Sequence, residues 1–163
     1  MTKTFHREAE ELLARCRANK LKLATAESCT GGLIAASLTE IAGSSDVVER
    51  GFVTYSNEAK IELLGVAEAL IRAHGAVSAE VARAMAEGAV ARSHADIAVA
   101  VTGIAGPGGA TATKPVGLVH LAATRRGGAT RDVRAVFPGN RRAVREASVL
   151  AAFALIGDLI SHP

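Results

Sequence analysis

Aromatic residues make up only 3% of this chain and tryptophan is absent, so it lacks the stacking platforms on which single-stranded nucleic acid is held. Its two cysteines, Cys16 and Cys29, have no CxxC spacing and cannot frame a small disulfide-stapled domain. Both read as reduced thiols of a cytoplasmic protein. The five histidines (His6, His74, His94, His120 and His162) are scattered, with neither HxxxH nor Cys/His clustering, so no metal site is expected. No apolar run approaches the roughly twenty residues that cross a bilayer, and no membrane association is expected. The opening "MTKTFHREAEELLARCRANK" reads as an amphipathic helix, not a signal peptide. Neither a Walker A pattern nor a GxGxxG dinucleotide fingerprint is present.

What the chain does have is apolar residues, at 49%, within a length of 163 that suits one domain spanning residues 1–163. The formal net charge is a mild +3, but "TRRGGATRDVR" and "NRRAVR" concentrate arginine in the C-terminal third. Such a bias attracts phosphorylated small molecules and nucleic acid alike, and also suits a solvated face.

Periodicity alternates between strand and helix. "KLKLATA" alternates as a strand, and "GLIAASLTEIAG" then takes helical spacing and closes at Gly43. "RGFVTYS" is a second β-rich run, followed by a helix "NEAKIELLG" with Ser56 or Asn57 as N-cap and Gly65 just past its end. "EALIRAHG" and "SAEVARAMAEGAVARSHA" are further helices, the second capped by Ser78. "DIAVAVTG" reads as a strand buried on both faces. "VGLVHLAAT" and "ATRDVRAVF" flank Arg125 to Gly128 as a hairpin, and "NRRAVREASVLAAFALIGDLI" is a long helix with Val144, Ala147, Leu150, Ala151, Ala154 and Leu155 on its apolar face. The order predicts a three-layer α/β/α sandwich around a mixed, mostly parallel sheet, with the ligand site where loops leave the strand ends.

Three segments carry chemistry. In "TAESCTGG", Ser28 lies between a strand and a helix, where unpaired backbone N–H groups suit an oxyanion, and Gly31 and Gly32 allow close approach. The same residues also suit a plain N-cap and turn, and Cys29 is a rival nucleophile. In "TYSNEAK", Lys60 falls one turn into a helix and leans back toward its positive end, a route to a lowered pKa and a general base, with Tyr55 able to share its proton network. The bland alternative is a surface Lys60 paired with Glu58 or Glu62. In "TGIAGPGGATATKPVG", glycines follow a buried strand where amides can cradle phosphate or ribose, and Lys114 and Arg141 are candidate anion clamps; a generic Gly/Pro turn fits as well.

Taken together, "TAESCTGG", "GFVTYSNEAK", "GAVS", "VTGIAGPGG…KPVG" and "FPGNR…VR" resemble, in order and spacing, the CinA C-terminal domain family over roughly residues 8 to 160. Stand-alone members of that family are nicotinamide-nucleotide amidohydrolases. The resemblance implies deamidation of nicotinamide mononucleotide to nicotinate mononucleotide and ammonia, with Ser28 as nucleophile and Tyr55 and Lys60 as its proton-transfer partners. It implies substrate contacts from Thr30, Gly31, Gly32, Thr102, Gly103 and Gly106, a phosphate contact from Arg141, no cofactor and no metal. It further implies a homo-oligomer, for which the apolar last helix is the candidate interface. Ala110 and Asn140 depart from the family pattern, the second by removing a carboxylate that could orient Arg141. Larger relatives carry an N-terminal domain with nucleotide pyrophosphatase activity, which is not expected of this chain. The alternative reading is a nucleotide-binding module, tied to competence or DNA damage, that turns nothing over.

Overall fold

The computed structural model describes residues 5–163; residues 1–4, part of the stretch read as the first helix, lie outside the described residues. The elements run α1 (His6–Ala18), β1 (Leu23–Glu27), α2 (Leu33–Thr39), β2 (Val48–Val53), α3 (Asn57–Leu64), α4 (Glu68–His74), α5 (Ala79–Ala91), β3 (Ile97–Gly103), β4 (Leu118–Arg125), β5 (Thr130–Val136) and α6 (Arg141–Ser161). Five strands form one sheet in the order β2-β1-β3-β4-β5. β1 pairs in parallel with both β2 and β3, while the β3/β4 and β4/β5 pairings are antiparallel. Four strands therefore point the same way and β4 alone reverses, as a mixed, mostly parallel sheet requires. With helices on both faces, the chain is a single α/β domain of three layers.

Alternation along the central strands decides which helix packs where. On one face Ile97, Val99 and Val101 of β3 and Val119 and Leu121 of β4 meet the apolar sides of α1, α2 and α6. On the other, Ala98, Ala100 and Ala122, with Ala24 and Ala26 of β1, meet Ala82, Met85, Ala86 and Ala89 of α5. Small residues on both sides let α5 lie close to the sheet. No helix of the described residues is long and apolar enough to cross a membrane.

Two expectations are corrected. α2 stops at Thr39 instead of running to Gly43, and the chain passes through a short 3₁₀ turn at Ser44–Asp46 that buries Ile41 and Val47. In α6 the buried side keeps Val144 and Leu155 of the expected face but otherwise runs through Ser148, Val149, Ala152, Phe153 and Ile156, continuing to Leu159 and Ile160. Leu150 is exposed, because α6 is sandwiched between the sheet and α1 and its inward face is fixed by both. Most of the apolar surface proposed as an interface is thus used within the chain.

The parallel strands β2, β1 and β3 end at the same edge. From β1 the chain steps to β2 on one side and returns through α3, α4 and α5 to β3 on the other, so the order reverses at β1. In open α/β sheets ligands bind at such a switch point, outside the carboxyl ends of the strands.

Candidate active site

Ser28 is the first residue past β1, at this switch point. Its N–H donates to Val101 O at 3.0 Å, locking the strand end against β3, and its carbonyl accepts from Gly31 N at 3.0 Å, closing a tight turn. Thr54 N donates to Glu27 O at 2.9 Å, so the chain leaving β2 is tied to the same point.

That tie brings in Lys60. Ser56, in extended conformation, caps α3 by accepting from Ala59 N at 3.0 Å, which sets Lys60 one turn in with its side chain directed back past the helix start. Lys60 Nζ lies 3.0 Å from Ser28 Oγ and donates to Thr54 O at 2.8 Å, with the carbonyls of Tyr55 and Ser56 at 3.4 and 3.5 Å. The residue is 1% exposed and, among the described residues, no carboxylate lies within ion-pair distance of it, which rules out the surface pairing with Glu58 or Glu62. Burial holds its pKa below the ordinary lysine value; the loss of water around the charged amine is the cause. As a neutral amine, Lys60 can turn two N–H groups to the carbonyls and its lone pair to the Ser28 hydroxyl.

Ser28, Tyr55, Lys60, Thr102, Gly103 and Arg141 line one cavity of about 230 Å³. Thr102 Oγ1 donates to Ala76 O at 2.8 Å, joining the end of β3 to the "GAVS" connection, whose Ala76 and Val77 form another wall. A Cβ at Gly103 would stand 2.9 Å from Leu118 O and 2.8 Å from Val119 Cγ2, so only glycine lets β3 run this close to β4 at the cavity. Arg141, the first residue of α6, donates to Gly106 O at 2.9 Å and to Tyr55 Oη at 3.0 Å. It therefore spans the mouth of the cavity from the glycine loop to the tyrosine ring. Asn140 accepts from Ala143 N at 3.0 Å as the N-cap of α6, so the departure at this position serves the helix and leaves the hold on Arg141 to Gly106 and Tyr55.

Other expected residues are placed differently from the sequence reading. Tyr55 is 62% exposed with its hydroxyl engaged by Arg141, whereas Lys60 reaches Ser28 directly. Thr30 is fully buried behind the turn, and Thr30, Gly31, Gly32 and Gly106 do not line the cavity; Gly106 contributes through its carbonyl to Arg141. Lys114 Nζ donates to His74 O at 2.6 Å, pinning the glycine loop to the end of α4. Cys29 lines the cavity, but burial pushes its thiol up to about 11, which disfavours the thiolate a cysteine nucleophile needs.

The start of α2 is also not the open donor array that the sequence suggests. Ile34 N and Ala35 N donate to the two carboxylate oxygens of Glu27, at 2.9 and 3.0 Å, and Leu33 N donates to Thr30 O. Among the described residues the amides of Cys29 and Thr30 have no backbone acceptor, so the donors left near Ser28 belong to the turn itself. Glu27 escaped sequence reasoning although it sits inside the motif: the strand reading places it at a strand end, and nothing in the spacing shows that its side chain turns forward onto the next helix. Among the described residues, no group of three or more His, Cys, Asp or Glu side chains is placed to hold a metal ion.

Comparison with known proteins decides the family. The profile of the CinA C-terminal domain matches residues 6–160. The chain belongs to the CinA C-terminal domain family. A CinA-like protein of Mycolicibacterium paratuberculosis is 55% identical over 159 residues, covering 93% of this chain and 36% of that protein. A putative competence-damage inducible protein of Caldicellulosiruptor bescii is 51% identical over 138 residues, covering 84% of this chain and 33% of that one. This CinA domain thus spans about a third of the length of these curated relatives. Among solved structures, the competence/damage inducible protein CihA from Agrobacterium tumefaciens superposes with a TM-score of 0.94 at 48% identity, covering 98% of this chain and 97% of its own. A CinA superfamily protein from Klebsiella pneumoniae gives 0.93 at 35% identity, with coverage of 97% and 98%.

Proposed function

We propose that this CinA domain is an amidohydrolase that deamidates nicotinamide mononucleotide. The observation that carries the reading is the buried Lys60 amine 3.0 Å from Ser28 Oγ at the floor of a cavity whose mouth is spanned by Arg141. A lysine sealed from water without a carboxylate is costly to the fold, and a neutral amine beside a hydroxyl is the pairing that serine–lysine hydrolases use.

The steps balance without a further reagent. Ser28 Oγ attacks the carboxamide carbon as its proton passes to Lys60 Nζ. The oxyanion that forms faces the Ser28 turn, whose Cys29 amide has no backbone acceptor and can donate to it. The tetrahedral intermediate then collapses, the C–N bond breaks, and Lys60 returns the proton to the departing nitrogen, releasing ammonia. Water attacks the ester carbon, Lys60 accepts its proton and passes it to Ser28 Oγ, and nicotinate mononucleotide leaves. Arg141, with a planar guanidinium at the first turn of α6, suits the 5′-phosphate.

The test is ammonia release from nicotinamide mononucleotide by the purified chain and by Ser28→Ala. Turnover lost in the variant with nucleotide binding retained supports the reading. Binding of the nucleotide by both chains with turnover by neither would replace it with the nucleotide-binding module.

A further inference from the structure

Arg145 lies one turn beyond Arg141 on the same side of α6 but holds different partners. Its Nε donates to Cys29 O at 3.2 Å and its second terminal nitrogen donates to Thr30 O at 2.9 Å. Among the described residues it has no carboxylate within ion-pair distance, so these two carbonyls are what a half-buried guanidinium is there to hold. It is absent from the wall of the Ser28 cavity. Instead it lines a separate cavity of about 280 Å³ between α2 and α6, together with Phe5, Leu33, Ser37 and Glu40.

We propose that Arg145 is a positioning residue for the nucleophile: it grips the Ser28 turn by its carbonyls so that Ser28 and the Cys29 amide beside it are fixed in place for the oxyanion. The proposal rests on Ser28 being the nucleophile, as argued above. Its physical basis is that the turn is held by opposite charges on its two kinds of dipole. The buried Glu27 carboxylate takes the N–H groups at the start of α2, and the Arg145 cation takes the C=O groups just before it. The bond to the Cys29 carbonyl holds the Cys29–Thr30 peptide plane, whose own N–H belongs to Thr30 and stays outside the cavity wall. Fixing that peptide plane also fixes the preceding one, which carries the Cys29 amide next to the attacking oxygen. An oxyanion hole works only if its donors are in place before charge develops, so orientation here acts on the chemical step more than on substrate binding.

The experiment compares wild type, Arg145→Ala and Arg145→Lys, with Ser28→Ala as the blank. Turnover of nicotinamide mononucleotide and labelling of Ser28 by a fluorophosphonate probe are both measured well below each protein's Tm. Arg145→Ala should lower kcat and the labelling rate by about 10- to 100-fold with KM changed less than about threefold, by the scale of a lost oxyanion contact. The pH at which the rate is half-maximal should not move, because Lys60 is untouched. Added guanidinium, which can reach the vacated position through the α2–α6 cavity, should restore part of the rate in Arg145→Ala and none in Ser28→Ala. Arg145→Lys, with one charge and no fork, should fall between the two, and it carries the test if the alanine variant does not fold. A kcat and labelling rate within about twofold of wild type in the folded variant, or a loss seen only in KM, overturns the proposal. Wild type that labels at Ser28 but does not turn over the nucleotide removes the proposed substrate and leaves the labelling comparison to decide on Arg145. Wild type that neither labels nor turns over removes the nucleophile, and this inference with it.

Discussion

Lys60 Nζ stands 3.0 Å from Ser28 Oγ and 2.8 Å from the Thr54 carbonyl, so the amine is held by the strand that precedes its own helix and presented to the strand beside it. Two segments separated by 32 positions are thereby joined by one hydrogen bond without an intervening side chain, and the proposed reaction uses it as its proton path.

That path sets the pH dependence. The general base must be uncharged, and burial lowers its pKa, so kcat/KM should rise about tenfold per pH unit and level off below the ordinary lysine value of about 10.4. Lys60→Arg, which stays protonated, should be inactive across the profile. The same shift acts on stability. The native pKa lies below the unfolded one, so between the two the unfolded chain holds more protons and stability increases with pH; it falls back as pH drops through the native value. Thermal melts of wild type and Lys60→Met over that window should diverge in slope, the variant lacking this component.

Arg141 and Tyr55 act at the mouth. Arg141→Ala should raise KM for the phosphorylated nucleotide by about 10- to 100-fold, on the scale of a lost charge-assisted contact, and leave the corresponding riboside nearly unaffected. Because the Tyr55 hydroxyl accepts from Arg141 and Lys60 reaches Ser28 unaided, Tyr55→Phe should raise KM a few-fold and keep most of kcat. A collapse of kcat in Tyr55→Phe would return the phenol to the proton path.

Glu27→Gln keeps the shape but gives the two N–H groups of α2 one acceptor where they had two. Leaving a buried donor unsatisfied should cost about 1–3 kcal/mol, measured by denaturant unfolding at unchanged m-value.

Gly88 lies where α5 crosses α3, and a Cβ there would stand 2.0 Å from Leu64 O. Gly88→Ala should destabilise by about 2–3 kcal/mol through overpacking, and should reduce the fraction of active protein on heating while leaving KM unchanged in what remains folded.

Much of this arrangement is legible in the chain and some is not. The run "IAVAV" already shows a strand covered on both faces, and the caps Ser56 and Ser78 mark helix starts that the fold keeps. The neighbourhood of Ser28 and Lys60 is legible only through the combined motifs, because periodicity cannot tell which strand ends meet. The roles of Glu27 and Arg145 are not legible at all: each acts through backbone groups, which carry no residue signature. The early end of α2 and the true inward face of α6 were set by packing from neighbours, where the local pattern offered more than one apolar side.

The sorting of branched side chains to one sheet face and alanines to the other gives the two halves of the molecule unequal tolerance to change. Beneath α6, trimming Val99 or Leu121 opens a hole and loosens what it supports. Above, the hazard is growth: a methyl group added at Ala98, Ala100 or Ala122 pushes α5 outward and carries Ala76 and Val77, just ahead of its first turn, away from the Ser28 cavity. Drift in sequence should therefore run to swaps of like bulk on one side and to near-stasis on the other.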